Sequence, residues 1–541
     1  MNLALLHEAI AAEIPDRDCI VHRGRRLSWS EVTDRTRRLG ALLQAHGLGC
    51  HRDRADLAGW ESGQDHVALY LYNGPEYLEG MLGAYKARCA PFNVNYRYIE
   101  EELTYLLGNA EAKAVIYHAA FAPVLEKVRS RIPKLSLLLQ VADDSGQPLL
   151  DGALDYEEAL AAADPEPPPN DLSGDDLYIL YTGGTTGLPK GVLWRQDDIL
   201  HAALLSGAPS TLPEICEQAK RRPGLRVLPA PPFMHGAAHW AAFNLWFLGG
   251  TVLVQDEVVR LDPADVWSTC AREGAQMLTI VGDAFARPLI DELRAGSYDL
   301  SDLFIITSGG AILTSDLKRE LLDLLPQVRI RDALGSSESG AQGAQVSSQQ
   351  AGVVTGEFEL EPGSLVLAED LSRVLEAGDP ERGWLARTGR MPLGYFRDQE
   401  KTRRTFPEVA GIRYAVPGDR AEISADGKLR LLGRDSVTIN SGGEKIFAEE
   451  VELAMKHHPA VYDCVVCGTP SDRWGSAVTA IVQLRADAQA SESELAACAN
   501  ERITRYKLPK HYIFVDAIVR APSGKADYRW AQQKAAEVLG Q

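Results

Sequence analysis

Apolar residues recur at helical spacing from Leu3 to about Gly47, the period of helices with one buried face. Within that stretch Leu27-Ser28-Trp29-Ser30-Glu31 reads as a strand that ends at a helix cap. The run Val67-Ala68-Leu69-Tyr70-Leu71 predicts a buried strand, and residues 76–87 predict the helix after it. Ala114-Val115-Ile116-Tyr117 repeats the pattern, so the first third reads as alternating βα units over a parallel sheet. Residues 50–65 are polar and read as a surface insertion, and Pro165-Glu166-Pro167-Pro168-Pro169 as a stiff connector. A second βα series covers residues 224–334, with strands expected at Val252-Leu253-Val254, Met277-Leu278-Thr279-Ile280-Val281 and Leu303-Phe304-Ile305-Ile306. Residues 356–419 read as short β-strands, and a small α+β piece begins after Gly433-Arg434-Asp435-Ser436. No internal repeat is visible.

Length and charge narrow the function. At 541 residues several lobes are expected rather than one compact core. A formal charge of −19 leaves no basic face to neutralise a nucleic acid and none to dock by charge on an anionic membrane. No apolar run is long enough to span a bilayer; residues 241–254 are too few and contain Asn244. The N-terminus lacks the basic region of a signal peptide, and eight scattered cysteines fit a reduced cytoplasm better than a disulfide framework. Cys464 and Cys467 have redox spacing, but their apolar surroundings favour two inert cysteines on a buried strand.

The chemistry centres on Thr182-Gly183-Gly184-Thr185-Thr186-Gly187-Leu188-Pro189-Lys190, set between Tyr178-Ile179-Leu180 and Val192-Leu193-Trp194. Strand, tight loop and strand are expected, with backbone N–H groups forming a nest for a phosphate. Gly191 after Lys190 rules out a Walker A loop. An ordinary glycine-rich hairpin would leave the paired threonines and the lysine unexplained.

This loop resembles the phosphate-loop signature of the adenylate-forming enzymes, a superfamily that includes acyl-CoA synthetases, luciferases and adenylation domains. Further motifs follow in that family's order. Leu334-Gly335-Ser336-Ser337-Glu338 lies where the family carries Tyr-Gly-x-Thr-Glu, which implies a Mg²⁺-holding role for Glu338 and a weaker adenine platform at Leu334. Asp332 and Ala333 fall beside the expected adenine, and Gly309, Gly310 and Ala311 match the turn along the acyl-adenylate. Pro417-Gly418-Asp419 reads as a turn that delivers a carboxylate to both ribose hydroxyls, completed by Arg434. Pro232-Phe233-Met234-His235-Gly236 resembles the segment that guards the carboxylate end of the acyl tunnel; Gly282, Asp283 and Gly310 join it as acyl contacts. His239 lies four residues from His235, but no third ligand is nearby for a metal.

Ser523-Gly524-Lys525 keeps the core of the family's C-terminal ending, and Tyr506-Lys507-Leu508-Pro509-Lys510 precedes it at the expected distance. The resemblance implies that Lys525 balances charge between the attacking carboxylate and the α-phosphate. Gly442, Gly443 and Lys445 match a CoA-binding strand, and Asp435 and Ser436 fall at the interdomain hinge.

The implied fold is α/β, with a large N-terminal domain over residues 1–433 built of two βα-layered lobes and a β-rich lobe. A small mobile α+β domain over residues 434–541 follows. The implied enzyme is an acyl-CoA synthetase using ATP, Mg²⁺ and coenzyme A in two half-reactions, cytoplasmic, with room for a homodimer. The phosphate loop, residues 281–288 and Gly-Ser-Ser-Glu-Ser look most like actinobacterial synthetases for bulky acids such as sterol side-chain acids. Small residues at Gly236, Ala237 and Ala238 would leave room for such an acid. Two other readings stay open: the same fold with a weak ATP half, through Gly183 and Leu334, or a noncatalytic acyl- or nucleotide-binding protein.

Overall fold

The computed structural model describes residues 1–168, 171–182, 188–205, 211–221, 224–441, 444–471, 473–521 and 523–540. Helix Trp29–Ala45 starts where the sequence places a cap: the Ser28 hydroxyl accepts from the Glu31 amide, and the Glu31 carboxylate accepts from the Ser28 amide. Helix Pro75–Lys86 opens on a proline, whose missing N–H costs nothing in a first turn. Helix Pro75–Lys86 packs on a parallel sheet ordered Ala90–Asn93, His66–Tyr70, Ala112–His118, Leu137–Val141 and Leu154–Asp155, and helix Trp29–Ala45 packs against Pro75–Lys86.

The hairpin Asp18–His22 and Arg25–Ser28 does not join that sheet. Asp18–His22 pairs instead with Thr251–Val254, at the edge of a sheet of thirteen strands among the described residues. From that edge the order continues through Arg226–Pro229, Met277–Ile280, Ile305–Gly309 and Arg329–Ser336, all parallel. Gly340–Ser348 turns the sheet antiparallel, and it runs on through Glu357–Leu360, Leu429–Arg434, Asp419–Ile423, Gly383–Arg387 and Ser364–Leu367. The β-rich lobe and the second βα series therefore share one continuous sheet. The strand expected at residues 303–306 starts two residues later, because Leu303 closes a turn on the Leu300 carbonyl.

Residues 50–65 lie at the surface but are anchored. The Gln64 side chain accepts from the Leu177 amide and donates to the Arg88 carbonyl, and the Trp60 carbonyl accepts from the Arg397 amide.

The C-terminal part has its own sheet, ordered Glu444–Phe447, Thr438–Ser441, Gly475–Leu484 and Val461–Ser471, with His511–Val515 beside Gly475–Leu484. Its apolar cores lie on the two faces of that sheet. Cys464 and Cys467, an odd number of residues apart on one strand, fall on opposite faces, which removes any dithiol reading. No helix among the described residues is long and apolar enough to cross a membrane.

Candidate active site

In a parallel sheet the chain segments that leave the carboxyl ends of neighbouring strands gather along one crevice. Here four such segments do so: residues 230–235 after Arg226–Pro229, 281–283 after Met277–Ile280, 310–311 after Ile305–Gly309, and the turn around Glu338 after Arg329–Ser336. Register aligns them, since Ile280 pairs with Ser308, Ser308 with Asp332 and Gly309 with Ala333.

Across this edge lies the expected strand–loop–strand. Leu177–Thr182 and Lys190–Arg195 are antiparallel, with Thr182 opposite Lys190. Gly183, Gly184, Thr185, Thr186 and Gly187 lie outside the described residues. The hairpin is fixed by Asn93, whose side chain accepts from the Tyr181 amide (2.7 Å) and donates to the carbonyls of Tyr181 (2.9 Å) and Met234 (2.7 Å). Asn73 does the same service for the 230–235 segment, accepting from the Phe233 amide and donating to the Pro231 carbonyl.

Lys190 pairs with Asp398 at 2.9 Å, and Asp398 caps helix Gln399–Thr405. Nearby, Tyr395 Oη donates to Glu338 Oε1 (2.9 Å) and Trp194 Nε1 donates to the Ser337 carbonyl (2.9 Å). The hairpin, the Glu338 turn and the Asp398 helix thus form one hydrogen-bonded unit. Ser336 shares a hydroxyl contact with Ser339 at 2.8 Å, and Gly335 is exposed. Leu334 is half-buried, packed on the β-lobe core that contains Val366 and Leu385.

Asp332 is already engaged. Its Oδ2 faces the buried Lys318 ammonium and accepts from Gln345 Nε2 at 3.0 Å; burial nonetheless pushes its pKa up. An adenine amino group would have to share this carboxylate. Asp419 is buried and holds Arg434 Nε at 3.1 Å. Gly310 has φ +84°, the left-handed region open to glycine.

His235 immediately precedes helix Gly236–Trp246 without a side-chain capping bond, and its Nε2 is buried with no hydrogen-bond partner among the described residues. Desolvation and the charge of Lys525 push its pKa down to about 3, so the ring is neutral at any working pH. His239 is a satisfied core residue: its Nδ1 donates to the Phe233 carbonyl at 2.7 Å, and its Nε2 meets the Tyr178 hydroxyl, which also accepts from Trp240 Nε1.

The small residues here do not all make room. A Cβ on Gly236 would lie 3.2 Å from Leu180 and Trp240, and Ala238 is fully buried. Their size lets the helix pack closely; Ala237 between them is half-exposed. Gly282 (φ +52°) gives its amide to Ser308 Oγ at 3.0 Å. Asp283, expected to touch the acyl group, has another use: its Oδ1 accepts from the Thr314 amide (2.8 Å) and its Oδ2 faces Lys456 (3.4 Å). A carboxylate satisfied by an amide and a cation offers little to an apolar chain.

The C-terminal domain closes over the crevice. A Cβ placed on Gly310 would come within 3.2 Å of Lys525 Cε, and one on Gly524 within 3.1 Å of the Phe285 ring. The Lys525 side chain stays open to water although protein surrounds its cleft. Desolvation, then the charge of Arg434, push its pKa down to about 8, against the pull of Glu338 and Asp419; contact with water tempers that lowering. Lys445 lies 3.7 Å from Glu369 of the large domain, while Gly442 and Gly443 lie outside the described residues. Asp435 and Ser436 sit in the short turn Asp435–Val437, where the Asp435 amide donates to the Gly418 carbonyl at 3.0 Å.

Residues 7–357 match the family described as AMP-binding enzyme, and residues 450–525 match its C-terminal domain. The chain belongs to the adenylate-forming, AMP-binding enzyme family. It is 51% identical over 534 residues to the medium-chain acyl-CoA ligase Mig of Mycobacterium avium, covering 98% of this chain and 97% of that one. It is 38% identical to the 3-oxocholest-4-en-26-oate–CoA ligase of Rhodococcus rhodochrous, covering 99% and 96%. The fold is shared with the anthranilate CoA ligase AuaEII (TM-score 0.83, 21% identity, covering 100% and 98%). It is shared equally with ATP-bound MatB from Rhodopseudomonas palustris (TM-score 0.81, 23% identity, covering 99% and 100%). The enzyme class is therefore AMP-forming acid–thiol ligase, an acyl-CoA synthetase.

The signals that sequence reasoning missed are Asn73, Asn93, Asp398, Tyr395 and Lys456. Each is an isolated polar residue far in sequence from the group it holds, so no local pattern marks it.

Proposed function

We propose that this enzyme activates a bulky hydrophobic carboxylic acid, of the steroid side-chain, polycyclic terpenoid or branched or long-chain kind, as its adenylate and passes it to CoA. The acid's carboxylate attacks the α-phosphorus of ATP; the bond to the β-phosphate bridging oxygen breaks and pyrophosphate leaves. The CoA sulfur then attacks the acyl carbonyl, the bond to AMP breaks, and the thiol proton goes to solvent. The observation that carries the reading is the Lys525 side chain resting on the Gly310 turn, in a cleft it shares with His235, Glu338, Asp419 and Arg434.

Within that reading Lys525 neutralises the approach of carboxylate to phosphate, and neutral His235 offers its unpaired Nε2 at the acid's end of the crevice. Asp419 and Arg434 hold the ribose. Residues 182–190, with Lys190, hold the phosphates, and Gly309, Gly310, Ala311 and residues 332–337 line the nucleotide. Mg²⁺ fits as an ion that arrives with ATP. Among the described residues no cluster of three His, Cys, Asp or Glu could hold it alone, but Glu338, oriented by Tyr395, offers one carboxylate. When bound it would screen the phosphate charges. For the second step the C-terminal domain would turn about Asp435 and Ser436, bringing Gly442, Gly443 and Lys445 to CoA in place of Lys525.

The choice of a bulky acid draws on the relative named for the sterol-derived 3-oxocholest-4-en-26-oate, while the relative named for medium-chain acids supports a hydrophobic acid without bulk. ATP–pyrophosphate exchange with acetate, medium-chain, long-chain, sterol and terpenoid acids, run beside thioester formation from ready-made acyl-adenylates, tests both halves. Exchange with one hydrophobic class is expected. Equal kcat/KM for acetate and a polycyclic acid would overturn the substrate assignment. Thioester formation without exchange would show a disabled ATP half, and Leu334 and Gly183 would be the residues to restore first.

A further inference from the structure

The start of helix Gly282–Ala295 touches the C-terminal domain twice. Val281 and Phe285 pack against Gly524, beside Lys525, and Asp283 reaches Lys456 on helix Ala448–Lys456. The second contact is the first link of a chain. The Lys456 ammonium lies between Asp283 Oδ2 (3.4 Å) in the large domain and Asp463 Oδ1 (3.1 Å) in its own domain. Asp463 in turn grips Arg520 through two bonds, to Nε (2.6 Å) and Nη2 (2.7 Å). Arg520 Nη1 donates to the Gly524 carbonyl at 3.1 Å, and the Ala521 amide donates to the Lys525 carbonyl at 3.0 Å. All four side chains are largely buried, Asp283 at 6% and Lys456 at 10% exposure. A cation so placed is costly unless both anions are present, so the pair forms fully only when the two domains meet in this orientation.

We propose that Lys456 is a positioning residue for adenylation: its bridge from Asp283 to Asp463 reports docking of the C-terminal domain to Arg520, which shapes the turn that carries Lys525. In any orientation that withdraws Lys525 from Gly310, Asp283 and Lys456 separate, and the ammonium keeps only the anions of its own domain, Asp463 and the nearby Glu452. The latch therefore favours the first half-reaction and takes no part in the second. Arg287, stacked on Tyr462 at 5.1 Å, and Asp316, bound to His457 at 3.0 Å, support the same interface without touching the Arg520 turn.

The inference rests on the assignment of Lys525 to the adenylation step, so the two are tested together in the full-length enzyme. Lys456→Met, Lys456→Arg, Asp283→Asn and Lys525→Ala are assayed for ATP–pyrophosphate exchange and for thioester formation from ready-made acyl-adenylate. Asp283→Asn keeps an acceptor for the Thr314 amide while it removes the charge, which guards against simple misfolding. Lys456→Met and Asp283→Asn are expected to slow exchange by on the order of tenfold to a hundredfold, the scale of a slightly misplaced reacting group. Thioester formation should keep its rate, and Lys456→Arg should restore much of the exchange. Loss of both half-reactions in parallel, or exchange at the unaltered rate in Lys456→Met, would overturn the latch alone. Undiminished exchange in Lys525→Ala would overturn the assignment beneath it.

Discussion

Lys525 is where one residue's environment translates most directly into a measurable rate. Its ammonium is present below its pKa and lost above it, and desolvation with Arg434 nearby lowers that value to about 8. The kcat/KM for adenylation, which reports the free enzyme, should therefore fall as pH rises above about 8, with the midpoint at or above that value because water reaches the side chain. Lys525→Arg should push that limb to higher pH, because a guanidinium stays charged. Lys525→Ala should lose on the order of 10²–10³ in adenylation and the limb with it, by analogy with one preorganised donor. A pH profile of pyrophosphate exchange checks all three. His235 contributes no limb near neutrality, since burial and Lys525 hold its ring neutral. At the same scale Glu338 and Lys190 show why a motif residue is only half of a site: each is oriented by a partner, Tyr395 or Asp398, with no motif of its own.

Elements position these residues by their ends. The crevice exists because parallel strands place their carboxyl ends side by side, and the hairpin of Leu177–Thr182 and Lys190–Arg195 is brought to it by Asn93 at the end of another strand. Three bonds from one amide side chain join the hairpin to the segment before His235. Asn93→Ala would leave the Tyr181 amide and the Met234 carbonyl short of partners, at a cost of about 1–3 kcal/mol. We expect a lower urea midpoint and a KM for ATP raised more than that for CoA; unaltered unfolding and KM would show the staple to be idle. The strand Val461–Ser471 shows the opposite use of an element, since its alternation splits Cys464 from Cys467 and leaves both inert.

At the scale of the molecule, the arrangement seen here brings the Lys525 turn to the large domain and parks Lys445 beside Glu369. If Lys445 serves the thioester step after rotation, Lys445→Ala should raise the KM for CoA while pyrophosphate exchange changes far less. Steady-state kinetics in CoA beside exchange measurements would read this, and an equal loss in both would count against rotation. The exposed pair with Glu369 is worth little by itself, as surface ion pairs are, so it does not oppose the movement.

The amino-acid sequence alone was enough for the class of fold, the succession of βα units, the hairpin around residues 183–187 and the order of motifs up to Lys525. Those features depend on signals that act over a few residues: alternation, helical period, caps such as Ser28 with Glu31, and glycines such as Gly310 where φ must be positive. Only the tertiary structure decided that Asp18–His22 pairs with Thr251–Val254, that one sheet joins the second and third lobes, and that Gly236 and Ala238 serve packing rather than space. It also turned Asp283 from an acyl contact into an interdomain anchor and tied Asp332 to Lys318. Such partners are separated by tens to hundreds of residues. Their meeting depends on the order of strands in the sheet and on how the two domains dock, and neither leaves a periodic trace in the chain.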